Sequence, residues 1–212
     1  VRPPDDHPLA TALVRATDGT FPPVDGSVQV VAPDDAGTHA VVEFTGHSFV
    51  LTDRTPGDPL FGGVDGFGGA TRPQVLIELA AGGGWIGSLD MVMVRRAGPP
   101  TCDPLPPTDR YDEHARVVRA RRHRRAVRVL GDDRGLACVG RGLVGRTEIS
   151  VELVAPAPGA GRALVLGALA SLRAEELVFA QVAPGNAASV RMFLACGFTP
   201  IASEVLIDLR RP

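Results

Sequence analysis

The spacing of apolar positions changes several times along the chain, and each change marks an element. Leu9, Leu13 and Val14 recur at helical spacing over 8–17, with Asp18-Gly19 as a stop. A rigid turn at Pro22-Pro23-Val24-Asp25-Gly26 leads to a short strand at 28–31, and β-prone runs at 39–45 and 48–52 around Gly46-His47 predict a hairpin. Residues 57–71, rich in paired glycines, predict a mobile loop. A helix follows over 73–81, with Val75, Leu76 and Leu79 as its apolar face, and then an interior strand over 86–94.

Five prolines between 95 and 107 exclude long regular structure there. Residues 109–122 predict a helix capped by an aspartate, with Tyr111, Ala115, Val118 and Arg122 near one stripe. Runs at 127–130 and 136–140 form a hairpin around Gly131-Asp132-Asp133-Arg134-Gly135, and the strand 147–154 follows the turn 142–145. A glycine-rich turn then opens a helix from Arg162 to about Arg173. The strand 178–182, a helix capped by Asn186 and stopped at Gly197, and a terminal strand or hairpin from Phe198 to Leu209 complete the chain. Residues 1–6 are expected to be a loose end. The order of elements is mixed α/β.

Composition narrows the classes. An apolar fraction of 44% over 212 residues supplies a core for one large or two small domains. All 22 basic residues are arginine, and with Ala, Gly and Pro abundant this reads as the codon bias of a GC-rich genome. The net charge of −2 gives no general pull toward nucleic acid or membrane. The most basic stretch, Arg116 to Arg128, lacks interleaved aromatics and reads as a solvated face, which could meet acidic partners or coenzyme phosphates. Cys102, Cys138 and Cys196 have no paired spacing, as in a reduced cytoplasmic protein, and Cys196 reads as a small buried side chain. His39 and His47 lack a third ligand, so no metal is expected. No apolar run is long enough for a membrane span.

Two strand-to-helix junctions carry the candidate chemistry. In the first, the strand ending at Val154 runs through Pro156, Pro158, Gly159 and Gly161 into a helix. Backbone N–H groups at such a helix start favour phosphate. In the second, Asn186 opens the helix that closes on Gly197-Phe198. Together, from about Arg146 to Leu209, they resemble the GNAT superfamily of N-acetyltransferases. The chain departs from the family in two places. The loop from Val154 to Gly159 is about three residues short, with Pro156 where the family has Arg or Gln. Phe193 stands where many members carry a tyrosine thought to protonate the leaving thiolate.

The resemblance implies a mostly antiparallel mixed sheet flanked by helices, with 88–212 as the transferase domain, 95–107 as its proline-rich connection, and 1–87 as an additional α/β domain. It implies acetyl-CoA as co-substrate, gripped by the Gly159, Ala160, Gly161 and Arg162 backbone. An oxyanion donor is implied among the N–H groups of Leu153, Val154 and Ala155, with Asn186 and Phe193 also on the coenzyme side. The pantetheine arm would lie between splayed strands 147–154 and 178–182. The acceptor is an amine of a small molecule or a protein, and a homodimer is an expected assembly. Glu148 and Glu152, about 13 Å apart along one strand face, are the candidate bases, each acting alone. The rival expectation is a degenerate domain that binds an acyl-CoA or a protein without turnover.

Overall fold

The computed structural model describes residues 7–155 and 157–209, so the expectations for 1–6 and for Pro156 lie outside the described residues. It divides into two compact units: one holds the described residues up to Val92 and those from Ile201 onward, the other Met93–Pro200. The division differs from a boundary at 87/88, because the last strand groups with the N-terminal part of the chain. Both units combine helices with a mixed, mostly antiparallel sheet.

The first unit contains α1 (Pro8–Thr17), β1 (Ser27–Val31), β2 (His39–Phe44), β3 (His47–Leu51), α2 (Pro73–Leu79) and β4 (Trp85–Ile86). It also takes the start of β5 (Asp90–Arg96) and most of β10 (Thr199–Asp208). Leu9, Leu13 and Ala16 bury one face of α1 at i, i+4 and i+7, whereas Val14 turns outward. The sheet runs β1-β3-β2-β10. β1 lies parallel to β3, and the remaining pairs in this order are antiparallel. Its core gathers Val41, Val50, Val205 and Ile207 under Val75 and Leu79 of α2.

Residues 57–71 are pinned by backbone contacts, in contrast to the mobile loop expected from their glycines. Gly66 N–H donates to the Gly26 carbonyl at 2.8 Å, and a Cβ on Gly66 would stand 2.6 Å from the Ser27 carbonyl. The glycine permits close approach of backbones. His47 Nδ1 lies 3.0 Å from Asp25, and among the described residues no group of three ligating side chains could hold a metal.

The second unit is built from the rest of β5, α3 (Ala115–His123), β6 (Arg125–Asp132), β7 (Gly135–Arg141), β8 (Thr147–Leu153), α4 (Ala160–Leu169), β9 (Leu177–Val182) and α5 (Ala187–Ala195), in strand order β5-β9-β8-β7-β6. The proline-rich stretch is a fixed excursion. Leu105 N–H bonds the Gly167 carbonyl at 3.0 Å, and Pro107 bridges to Leu130 at the edge of β6.

The helix expected from Asp109 starts six residues later. His114 is its N-cap, accepting from Arg116 N–H at 3.1 Å, while 109–113 form turns anchored by Tyr111, whose hydroxyl donates to the Asp132 carbonyl at 2.6 Å. With the later start, Val117 and Ala120 face inward and Val118 faces solvent. α4 stops at Leu169 instead of about 173, where the Ser171 hydroxyl takes up the Ala168 carbonyl at 2.7 Å.

Candidate active site

β8 is antiparallel to β7 along its whole length, from Thr147↔Arg141 to Leu153↔Gly135. On its other side it pairs with β9 in parallel at only two positions, Thr147↔Val178 and Glu148↔Phe179. Beyond them the two strands separate. Just past the ends of β7 and β8, the N–H groups of Val154 and Ala155 both donate to the Arg134 carbonyl, at 3.0 and 3.2 Å.

The register settles which amides face the gap. In an antiparallel pair the bonded groups alternate, and Val154 is bonded to Arg134, so the even-numbered positions of β8 turn their N–H and C=O toward β7. Val151 and Leu153 turn theirs toward β9. Of the three amides expected as oxyanion or coenzyme donors, those of Val154 and Ala155 are therefore engaged by the Arg134 carbonyl, and that of Leu153 opens into the gap.

The glycine-rich turn stands at the mouth of this gap. Gly159 is the N-cap of α4 with φ +78°, and a Cβ there would meet nothing within 4 Å. Ala160 N–H bonds the Ala157 carbonyl and Ala163 N–H the Gly159 carbonyl, while the N–H groups of Gly161 and Arg162 have no acceptor among the described residues. Those two donors at the positive end of a ten-residue helix suit an anionic oxygen. Gly161 also fixes packing. A Cβ on it would fall 2.7 Å from Met192 Sδ, so the bare Cα lets α4 approach α5.

Asn186 caps α5 through a hydrogen bond from Ser189 N–H at 3.1 Å. At the other end, Phe198 N–H bonds the Phe193 carbonyl and Gly197 N–H the Leu194 carbonyl, with Gly197 at φ +78°. This is a Schellman closure, and its usual apolar contact is the edge-to-face pair of Phe193 and Phe198 rings, 5.0 Å apart at 76°. Phe193 is 4% exposed and held in that contact. Cys196 is buried, and burial pushes its thiol up from the ordinary value.

The two glutamates have different surroundings although they share a strand face. Glu148 is sealed, with Arg124 Nε 2.8 Å from one oxygen and Arg146 Nε 2.9 Å from the other. Burial pushes its carboxyl up, but the charges of Arg146 and Arg124 outweigh that and hold it below the usual carboxylate range. A Cβ on Gly142 would collide with this carboxylate, so only glycine leaves room for it. Glu152 is half-exposed and accepts a hydrogen bond from Arg116 Nε at 2.6 Å.

Arg124, Ser150 and Gln181 belong to the same site, although no motif singles them out in the sequence. Besides Glu148, the Arg124 guanidinium reaches Ser150 Oγ at 3.0 Å on β8 and Gln181 Oε1 at 3.3 Å on β9. One side chain therefore ties together the two strands that separate. The only trace in the sequence is the shared parity of Glu148, Ser150 and Glu152, which puts them on one face. Nothing there shows that the end of α3 lies over it.

No protein-family model matches the chain, and no curated protein matches it. Among solved structures it is similar to a GCN5-related N-acetyltransferase from Kribbella flavida, with 16% identity and a TM-score of 0.40, over 64% of this chain and 63% of that one. The match thus spans less than two thirds of that chain's length.

Proposed function

We propose that the second unit is an acyl-CoA-dependent N-acyltransferase, with acetyl-CoA as donor and an amine as acceptor. The observation that carries this reading is the separation of β8 from β9 after two paired positions, with the start of α4 at its mouth. A gap lined by unused strand amides suits an extended, amide-bearing arm such as pantetheine, and the Gly161 and Arg162 N–H groups suit the diphosphate. The residues fit the co-substrate in this respect, even with the short loop after Val154.

In the transfer, the amine nitrogen bonds to the thioester carbonyl carbon, the carbon–sulfur bond breaks, and the coenzyme leaves as its thiolate, which takes a proton from water. The Leu153 N–H is the donor for the developing oxyanion. Glu152 is the candidate to take the amine's proton, because its carboxylate is reachable from solvent. Glu148 is the weaker candidate, since both its oxygens serve arginines. With Phe193 lacking a hydroxyl, the thiolate leaves without a tyrosine donor, which its thiol pKa near 8.5 tolerates.

The reading is tested by following thiol release from acetyl-CoA with a panel of primary amines. Amine-dependent release supports it, and its absence across the panel speaks against turnover. A domain that binds an acyl-CoA without transfer is the second reading. The engagement of the Val154 and Ala155 amides by Arg134 favours it, because fewer donors then remain for an oxyanion.

A further inference from the structure

The Gln181 side-chain amide has one end fixed and one end unused. Arg124 can only donate, so the oxygen of the amide faces the guanidinium, 3.3 Å from Nη2, and the NH₂ group must point the other way. That nitrogen is buried and has no hydrogen-bond partner among the described residues. A buried donor left without an acceptor keeps the cost of its desolvation. A ligand oxygen that binds it recovers that cost.

Its place is set by the register. Glu148 pairs with Phe179, so two residues on, Ser150 and Gln181 stand level across the opening and on the face where Arg124 reaches both. Glu152 lies two residues further along the same face, on the order of 7 Å away along the strand. A proton acceptor on β8 and a neutral donor on β9 thus lie on one face of the two strands, with Glu152 one pair further along than Gln181.

We infer that Gln181 is a specificity residue of the acceptor site: its Nε2–H donates to a carbonyl or carboxylate oxygen next to the reacting amine, so the acceptor belongs to the amino-acid or amino-amide class. Arg124 is the positioning residue that aims the amide. This rests on the acyltransferase reading above and goes beyond it by naming the acceptor's chemistry.

The test compares acetyl transfer to glycinamide and to glycine with transfer to isobutylamine, which has the same branching and no oxygen. Wild type, Gln181→Leu and Gln181→Glu are assayed alongside acetyl-CoA titration of each. The Glu variant keeps an oxygen for Arg124 and removes the donor, so a merely structural role predicts wild-type selectivity in it. The inference predicts that the wild-type kcat/KM preference for an oxygen-bearing amine falls by about tenfold or more in both variants, through KM, with acetyl-CoA affinity unchanged. Comparing ratios between variants cancels the intrinsic basicity of the amines. Loss of preference for glycinamide alone identifies the oxygen as an amide carbonyl, and for glycine alone as a carboxylate. Unchanged selectivity in Gln181→Glu, or acetyl-CoA binding with no transfer to either oxygen-bearing amine, overturns the inference. Failure of acetyl-CoA to bind at all overturns the acyltransferase reading itself, and the titration records that separately.

Discussion

Arg124 donates its Nε–H to Glu148 at 2.8 Å, with both side chains at 10% exposure or less, so the end of α3 is bolted to β8 by a desolvated ion pair. Removing one partner of such a pair leaves charge uncompensated and costs about 3–5 kcal/mol. Glu148→Gln is therefore expected to lower the stability of the second unit by that order, as urea-induced unfolding would show. A loss under about 1 kcal/mol would mean the arginines find other partners.

The same pair predicts a pH dependence. The folded carboxyl of Glu148 lies below its ordinary value, so its contribution is complete above the usual carboxylate range, near 4.3, and is lost as pH falls below that through the folded value. Urea midpoints of wild type and Glu148→Gln should differ widely at neutral pH and converge in acid. A gap that widens on acidification would reverse the sign and refute the assignment.

Phe193 acts through packing. Phe193→Ala should cost about 3–5 kcal/mol, because it opens a cavity and removes the contact with Phe198 that closes α5. Phe193→Tyr, which puts a hydroxyl into that buried contact, should destabilise too, by roughly 1–3 kcal/mol. A Phe193→Tyr variant as stable as wild type would show instead that the ring edge meets a partner or opening for the hydroxyl.

Gly161→Ala probes whether the glycine serves packing or the ligand. A Cβ would press on Met192 Sδ, the flexible end of a long side chain that can give way, so an overpacking cost of only about 1 kcal/mol, the low end of the usual range, is expected. Met192→Ala should relieve it, giving a double-mutant coupling of at least about 0.5 kcal/mol. Additive effects would remove the close approach as the reason for the glycine.

Legibility in the sequence followed the range of the interactions. The caps at Asn186 and Gly197 and the hairpin around Gly46 rest on contacts within a few residues, and the structure has them as expected. The start of α3 differs from expectation because Asp109 looks like a cap, whereas Tyr111 is drawn off to the Asp132 carbonyl and His114 caps instead. Beyond the parity that puts Ser150 on the face of Glu148 and Glu152, nothing in the sequence joins Arg124, Ser150 and Gln181, because they meet through contacts 26 and 57 residues apart along the chain. The glycines near Gly66 mislead for a related reason: composition suggests freedom, but close backbone packing needs the same residue.

If the opening between β8 and β9, with the turn at Gly159, receives an acyl-coenzyme A, isothermal titration of the whole chain with acetyl-CoA will register it. Saturable one-to-one binding is expected, with a matching rise in thermal stability. Free coenzyme A should compete, because most of the grip is on the shared diphosphate and arm. No heat and no thermal stabilisation at millimolar acetyl-CoA would contradict an acyl-coenzyme A site in that opening.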